Sequence, residues 1–396
     1  MEYLYKDIYN YIFSFLSHKE LMNLMSVSKS FYYLINNLDL PNVDFYIACE
    51  KGYYLNIRKL GLKNHDLNKA LFFATKCGQW PIINLLISNG ANNWKLAFKG
   101  ACEGGYKQIV DFMYQNIVND YNKIFEQINK YDNIKIIMNE SVDSLINSNL
   151  KIWNKGLTYA CKNGHKELID YIISKGVDNL NAGLYYACKY GHRDLIDYMI
   201  SKGANNWNLG LFGACKNGNK DIIDYIIQKG EVDYNYGLDG ACQYNHKKII
   251  DYMISMGANR WNWALCGVCK GGHKDLVDFL VTKGVNDWTW GLYVACKYGH
   301  KDIVEYLISM GANNWNLGLR GASEGGHKEL VELMLQKGAR NFECGFFSAC
   351  KRGRKNIVEF MIDKCENVWD RGLTVACERG YKDIVDLLLT KIVKMF

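Results

Sequence analysis

Proline is nearly absent, with two residues in 396, so almost nothing in the chain forbids a helix or forces a rigid turn. No run of about 18 apolar residues exists to cross a bilayer, and the opening MEYLYKDIYNYIF mixes Glu2, Lys6 and Asp7 into its apolar stretch, unlike a secretory signal. The chain is therefore expected to act in the cytosol or nucleus, with no membrane partner. The net charge of +7 is spread as lysine throughout rather than gathered into a block, so a nucleic-acid partner is not expected. No phosphate-binding glycine loop, nucleophile elbow or paired-carboxylate motif separates itself from the background, which leaves an enzyme reading without support and no cofactor expected. With 49% apolar and 22% charged residues, extended disorder is also excluded.

What the chain has instead is repetition. The stretch NLNAGLYYACKYGHRDLIDYMISKGANNW, residues 179 to 207, is followed by NWNLGLFGACKNGNKDIIDYIIQKG, and the Ala before the recurrent Cys advances in steps of 27 from Ala160 through Ala187, Ala214, Ala241, Val268, Ala295, Ala322 and Ala349 to Ala376. A fixed period of this size marks a solenoid, in which each unit buries its apolar face only against its neighbours. Of the 14 cysteines, Cys49, Cys102, Cys161, Cys188, Cys215, Cys242, Cys269, Cys296, Cys350 and Cys377 hold one repeat position, so they read as reduced packing residues rather than a disulfide framework.

Within a unit, a first helix over Asn181 to Lys189 is stopped by Gly191, and in KELIDYIISKG the apolar Leu168, Ile169, Ile172 and Ile173 form one stripe while Lys166, Glu167, Asp170 and Lys175 face away. Gly176 ends that second helix. A recurrent aromatic in the loop, Trp94, Trp153, Trp207, Tyr234, Trp261, Trp288, Trp315, Phe342 and Trp369, reads as a stacked ladder belonging to the core. The His of each Gly-His turn (His165, His192, His246, His273, His300, His327) follows the repeat Cys by four residues, but one buried Cys and one His beyond a helix-ending Gly do not converge as zinc requires, so no metal is expected. Cys266-x-x-Cys269 reads as coincidence, because Cys269 is the ordinary repeat residue.

The units resemble the ankyrin repeat: Leu184, Ala187, Gly191, His192, Asp194, Leu195, Ile196, Met199, Ile200, Gly203, Ala204 and Asn205 stand at that family's signature positions. The resemblance covers Asp44 to Phe396 apart from an insertion and implies an all-α, ankyrin-like helix-pair solenoid. A typical unit of that family has about 33 residues, and the six missing here fall where its β-hairpin finger would form, so tight loops with little strand are expected. The repeats divide into an N-terminal group over 44–116 and nine regular units over 153–396. Between them the step from Ala101 to Ala160 is 59, which is 27 plus 32 extra residues. The intervening 117–152 reads either as a lengthened helix or as a degenerate unit. The resemblance also implies that partners bind the concave first-helix face, where the residue after the Leu and the residue two after the Cys change freely. Tyr185, Tyr190, Phe212, Tyr244, Tyr293 and Tyr298 are the candidate target-binding residues there.

Residues 1 to 40 follow another grammar, with apolar spacings of three and four that predict three short helices, the second opened by a Ser17/Glu20 capping box. Leu4, Asp7, Ile8, Ile12, Phe13, Leu16, Leu21, Leu24, Val27, Ser28, Lys29, Phe31 and Leu34 resemble the F-box pattern, with Tyr5 in place of its Pro and Phe31 where Trp is frequent. That resemblance implies contact with the adaptor protein of a cullin-type ubiquitin ligase through Leu4, Ile8, Ile12, Phe13, Leu16, Leu21, Leu24, Val27 and Phe31. The alternative is a plain scaffold whose N-terminal helices only cap the array, in which case Leu4, Ile8, Ile12 and Val27 are buried on the first repeat. The expected function is a monomeric, non-enzymatic adaptor for a protein target. Abundant Asn, Ile, Lys and Tyr suggest an AT-rich genome, and F-box and ankyrin combinations occur in large DNA viruses that act in infected host cells.

Overall fold

A computed structural model describes residues 44–128, 141–365 and 368–393. The F-box-like segment, with Leu4, Ile8, Ile12, Phe13, Leu16, Leu21, Leu24, Val27 and Phe31, lies outside the described residues. Among the described residues the chain is built of helices with no strand, so the all-α helix-pair architecture and the tight loops are both found. They form two compact units, one of residues 44–119 and 150–178, the other of 120–128, 141–149, 179–365 and 368–393.

The periodicity explains each helix pair. In the pair Leu180–Tyr190 and Arg193–Ser201, Leu184, Ala187 and Cys188 of the first helix and Leu195, Ile196 and Met199 of the second are buried. The first helix is one residue longer at each end than the sequence suggests. Gly191, at φ 81°, closes it: His192 N–H donates to Ala187 O and Gly191 N–H to Cys188 O. Glycine takes this left-handed turn without a Cβ penalty. One unit places Asn245 there instead, at φ 56°, and asparagine is the other residue that tolerates the conformation. Burial keeps the repeat thiols protonated: those of Cys161, Cys188, Cys242 and Cys296 are pushed up to about 12.

Two side-chain devices join several of the pairs to their neighbours. At the second position of the first helix an Asn reaches forward to the loop that follows its pair. The Oδ1 of Asn181 accepts from Asn205 and Asn206 N–H, both at 2.9 Å, and Asn235 and Asn316 make the same pair of bonds to Asn259 with Arg260 and to Arg340 with Asn341. Where the family's longer repeat would form a hairpin, two loop amides are held by one side-chain oxygen. The second device points backward and accounts for the Gly-His turn. The Nε2 atoms of His246, His273 and His300 lie 3.1, 3.1 and 3.3 Å from the carbonyl oxygens of Lys216, Gln243 and Lys270, near the end of the preceding first helix. Arg354, at the same repeat position, does the same for Glu324 O through Nε at 3.0 Å. Asn219 at this position instead caps its own second helix, its Oδ1 accepting from Asp221 and Ile222 N–H.

The aromatic ladder is not found. Of its members only Trp153 and Trp369 are buried, while Trp94, Trp207, Tyr234, Trp261, Trp288, Trp315 and Phe342 are half-buried. Among the described residues consecutive members make no ring contact with one another. Apart from Trp153, each stands at or beside the start of a first helix. Trp207 instead closes on Gly230, at the end of its own pair. Trp153 is the exception because Phe98, Tyr114 and Tyr171 surround it, with centroids at 6.0, 4.7 and 6.1 Å.

At the insertion, the second helix of one pair runs unbroken over Lys107–Ile128 and the first helix of the next over Ser141–Asn163. Lengthened helices thus occupy the described part of 117–152, and residues 129–140 lie outside the described residues. The last helix, Lys382–Val393, has 12 residues against nine in Arg193–Ser201.

Candidate protein-interaction face

In the second unit the first helices Leu180–Tyr190, Trp207–Asn217, Tyr234–Gln243, Trp261–Gly271, Thr289–Tyr298, Trp315–Gly325 and Phe342–Arg352 pack side by side. Three positions of each share one edge of the layer: the residue after the Leu, the residue four further on, and its successor. They generate the rows Tyr185, Phe212, Asp239, Cys266, Tyr293, Arg320, Phe347; then Lys189, Lys216, Gln243, Lys270, Lys297, Glu324, Lys351; then Tyr190, Asn217, Tyr244, Gly271, Tyr298, Gly325, Arg352. Nothing internal neutralises every member of these rows, and the chemistry of the face follows from how they are matched.

The structure brings Tyr185, Tyr190, Phe212 and Tyr244 into one cluster. Tyr185 stacks on Phe212 with centroids 5.7 Å apart, meets Tyr186 edge-on at 4.8 Å, and Tyr186 in turn stacks on Tyr190 at 6.3 Å. At its centre is Lys216, which the sequence reading passed over. Its Nζ lies 4.9 Å from the Phe212 centroid, 5.3 Å from that of Tyr244 and 5.6 Å from that of Tyr185, and the residue is only 6% exposed. Lys189 also reaches the Tyr244 ring, at 5.7 Å, and Tyr190, at 5.2 Å. Ring faces attract a cation, yet they do not replace water. Burial, reinforced by the charges of Lys270 and Lys189, pushes the Lys216 ammonium down to about 7. Burial likewise raises Asp239 to about 6, against the pull of Lys270 and Lys216.

Tyr293 belongs to a second cluster, whose central residue is an acid. Glu324 stands where the other six helices of this row carry Lys or Gln, and it is 6% exposed. Its oxygens lie 2.9 Å from Lys297 Nζ, 3.3 Å from Arg320 Nε and 3.4 Å from Arg352 Nη2. Lys297 also donates to Tyr293 Oη at 3.3 Å. Burial alone would raise the Glu324 carboxyl, but the Lys297 hydrogen bond and charge, with Tyr293 and Arg352, hold it below its ordinary value. The first unit repeats this arrangement: Glu103, at the same repeat position, is met by Lys162 at 3.1 Å and by Lys76 and Lys99 at 3.9 Å. Tyr298 joins neither cluster and lies under Lys270 at 5.4 Å.

The sequence reading therefore found the aromatic rows and missed the Lys/Glu row between them. Its signal was present: the residue after the repeat Cys is Lys in six units and Glu or Gln elsewhere, a variation in charge at one fixed position. Also missed was Trp290, the most exposed of the large apolar residues at 54%, edge-on to Tyr293 at 5.7 Å. Among the described residues no group of three or more His, Cys, Asp and Glu could hold a metal ion, and no helix is long and apolar enough to cross a membrane. The face offers surfaces for contact and charge pairing.

A side-by-side layer of helix pairs joined by main-chain clamps defines a repeat protein that displays a face. The family model of ankyrin repeats (3 copies) matches residues 127–209 and 238–316, and that of the F-box domain matches residues 4–42. The chain carries ankyrin repeats and an N-terminal F-box domain. No curated protein matches it.

Proposed function

We propose that this chain is a receptor that delivers a target protein to a cullin-type ubiquitin ligase. What supports the reading is the pairing of an F-box match over 4–42 with a repeat array that presents aromatic and charged rows on one face. Both matched families are non-catalytic interaction domains, so the mechanism is proximity: a target held by the array and a ligase held by the F-box share a high effective concentration without chemistry in this chain. Leu4, Ile8, Ile12, Phe13, Leu16, Leu21, Leu24, Val27 and Phe31 contact the adaptor, and Tyr185, Tyr190, Phe212, Tyr244, Tyr293 and Tyr298 contact the target. The chain acts as a monomer in the cytosol or nucleus of an infected host cell. Reducing conditions there suit a packing layer of thiols.

The test is a pull-down with the full chain and with a version lacking residues 1 to 40, probed for the ligase adaptor and the cullin. Retention by the full chain alone is expected, and an Ile12→Asp/Leu16→Asp variant is expected to lose it. If the full chain retains neither, and the truncated chain unfolds, the N-terminal helices cap the array and the ligase reading is wrong.

A further inference from the structure

Lys216 is a buried ammonium with three aromatic faces and, among the described residues, no carboxylate within ion-pairing distance. A buried cation without an anion is costly, and the cost is met on folding, before any partner arrives. The same chain shows what completes such a position. Four repeats further on, 324 − 216 = 108 = 4 × 27, the equivalent residue is Glu324, and it gathers Lys297 from the preceding helix, Arg320 from its own and Arg352 from the next. Around Lys216 the flanking residues, Lys189 on one side and Lys270 beyond Gln243 on the other, are also cationic, and the one carboxyl nearby, Asp239, is itself displaced toward its neutral form by burial. One cluster is a finished ion-pair network. The other has its cations and lacks its anion.

We propose that the cluster of Lys189, Lys216 and Lys270 among Tyr185, Phe212 and Tyr244 is the anchor for a carboxylate side chain, and that the target is captured through an acidic segment of polypeptide. This deepens the reading of the first-helix face as target-binding and rests on it. Tyr244, 44% exposed, stands beside the amine at the surface, and the four-carbon stem of Lys216 lets the ammonium swing from the ring faces to an incoming oxygen. Because the amine is already out of water, the new pair forms where the dielectric is low and each charge–charge contact is strong. A carboxylate is preferred over a phosphoryl group because Glu324 and Glu103 show a planar monoanion seated at this repeat position, both with cations around them. The rings add a flat surface for the neighbouring aliphatic or aromatic residues of the segment.

The test is fluorescence anisotropy on the full chain with four labelled probes of equal length: a peptide of alternating Glu and Gly, the same with Gln for Glu, the same with phosphoserine, and single-stranded oligothymidylate. The expected result is binding of the Glu peptide roughly tenfold or more tighter than of the Gln peptide, lost by about the same factor in Lys216→Met and retained in Lys216→Arg. Lys220→Met, on a second helix, should leave it unchanged. Equal affinity of wild type and Lys216→Met, or preference for the phosphoserine peptide or the oligonucleotide, overturns the inference. Melting curves on the variants show that each is folded, and the Arg variant keeps the test decisive if the Met variant is not. Should the Glu and Gln peptides bind alike, with Tyr244→Ala abolishing both, the face captures protein without reading charge and only this inference falls. Binding of no peptide, together with a failed ligase pull-down, overturns the receptor reading as well.

Discussion

At the scale of residues, Lys216 is a side chain whose charged form burial disfavours. A lysine whose folded value lies near 7, from an ordinary 10.5, binds fewer protons in the folded than in the unfolded chain between those two values. Stability contributed by this site therefore rises as pH climbs through that window, and the penalty is fully present below it. Asp239, raised from 3.8 to about 6, works the other way: between those values the folded chain holds the extra proton, and stability falls as pH rises. The two penalties overlap most between about pH 6 and 7. Melting temperatures across pH are expected to show wild type less stable than Lys216→Met by its full margin below about pH 7, with the difference closing toward pH 10. A constant difference would mean that the amine stays charged throughout. The charged groups that set this balance are Lys189, Asp239 and Lys270, each on a different helix of the layer, so Lys270→Met should narrow the effect.

At the scale of elements, the joints between helix pairs carry more than the pairs' own helical propensity. Helices of 9 to 11 residues are marginal alone. The Asn that spans from one first helix to the next loop supplies two amide bonds at once, and Asn316→Ala is expected to cost about 1–3 kcal/mol in urea unfolding, since two loop donors lose their acceptor. Asn316→Asp, which keeps the oxygen, should cost less. These joints mark where sequence reading stops. Leu184, Ala187, Cys188 and Gly191 announce their roles by chemistry at a fixed spacing, because burial and left-handed backbone select narrow residue types. Asn181 and Asn235 recur in six of the nine regular units, but asparagine fills the loops too, and only the folded loop shows that their amides sit 24 and 25 residues away. The tryptophans misled for the opposite reason. A large aromatic at a fixed period looks like core, whereas at the edge of the layer it is covered on one side only. Lys216 was hidden because a lysine in a row of lysines reads as solvated surface until its ring neighbours, one repeat away on each side, are known.

At the scale of the whole molecule, a strict period predicts tolerance to editing in whole periods. Removing residues 301–327, one whole period, joins His300 directly to Lys328, the residue equivalent to Lys301. The shortened chain is expected to unfold cooperatively, with a denaturant slope reduced in proportion to the lost surface. Removal of 20 residues from the same start point, which breaks the register, should give a chain without a cooperative transition. The whole-period deletion also removes Arg320 and Glu324 and leaves Lys297 and Arg352 unpaired, so it moves an anion-poor cluster along the face without dismantling the fold. Because the folded array is legible as a sum of units, the face can be altered one unit at a time.

The backward clamp has a meaning for how such a chain changes over generations. What His246 and Arg354 bind in the preceding pair is a main-chain carbonyl, a group every residue supplies, and two different side chains supply the donor. A joint that hydrogen-bonds only to backbone asks little of the preceding pair beyond the small residue that closes its first helix, where a Cβ at Gly218 or Gly272 would meet the His ring. Units can then be duplicated, lost or exchanged by recombination within the gene without a matching change next door, while the residues on the displayed face are left to selection for what they bind.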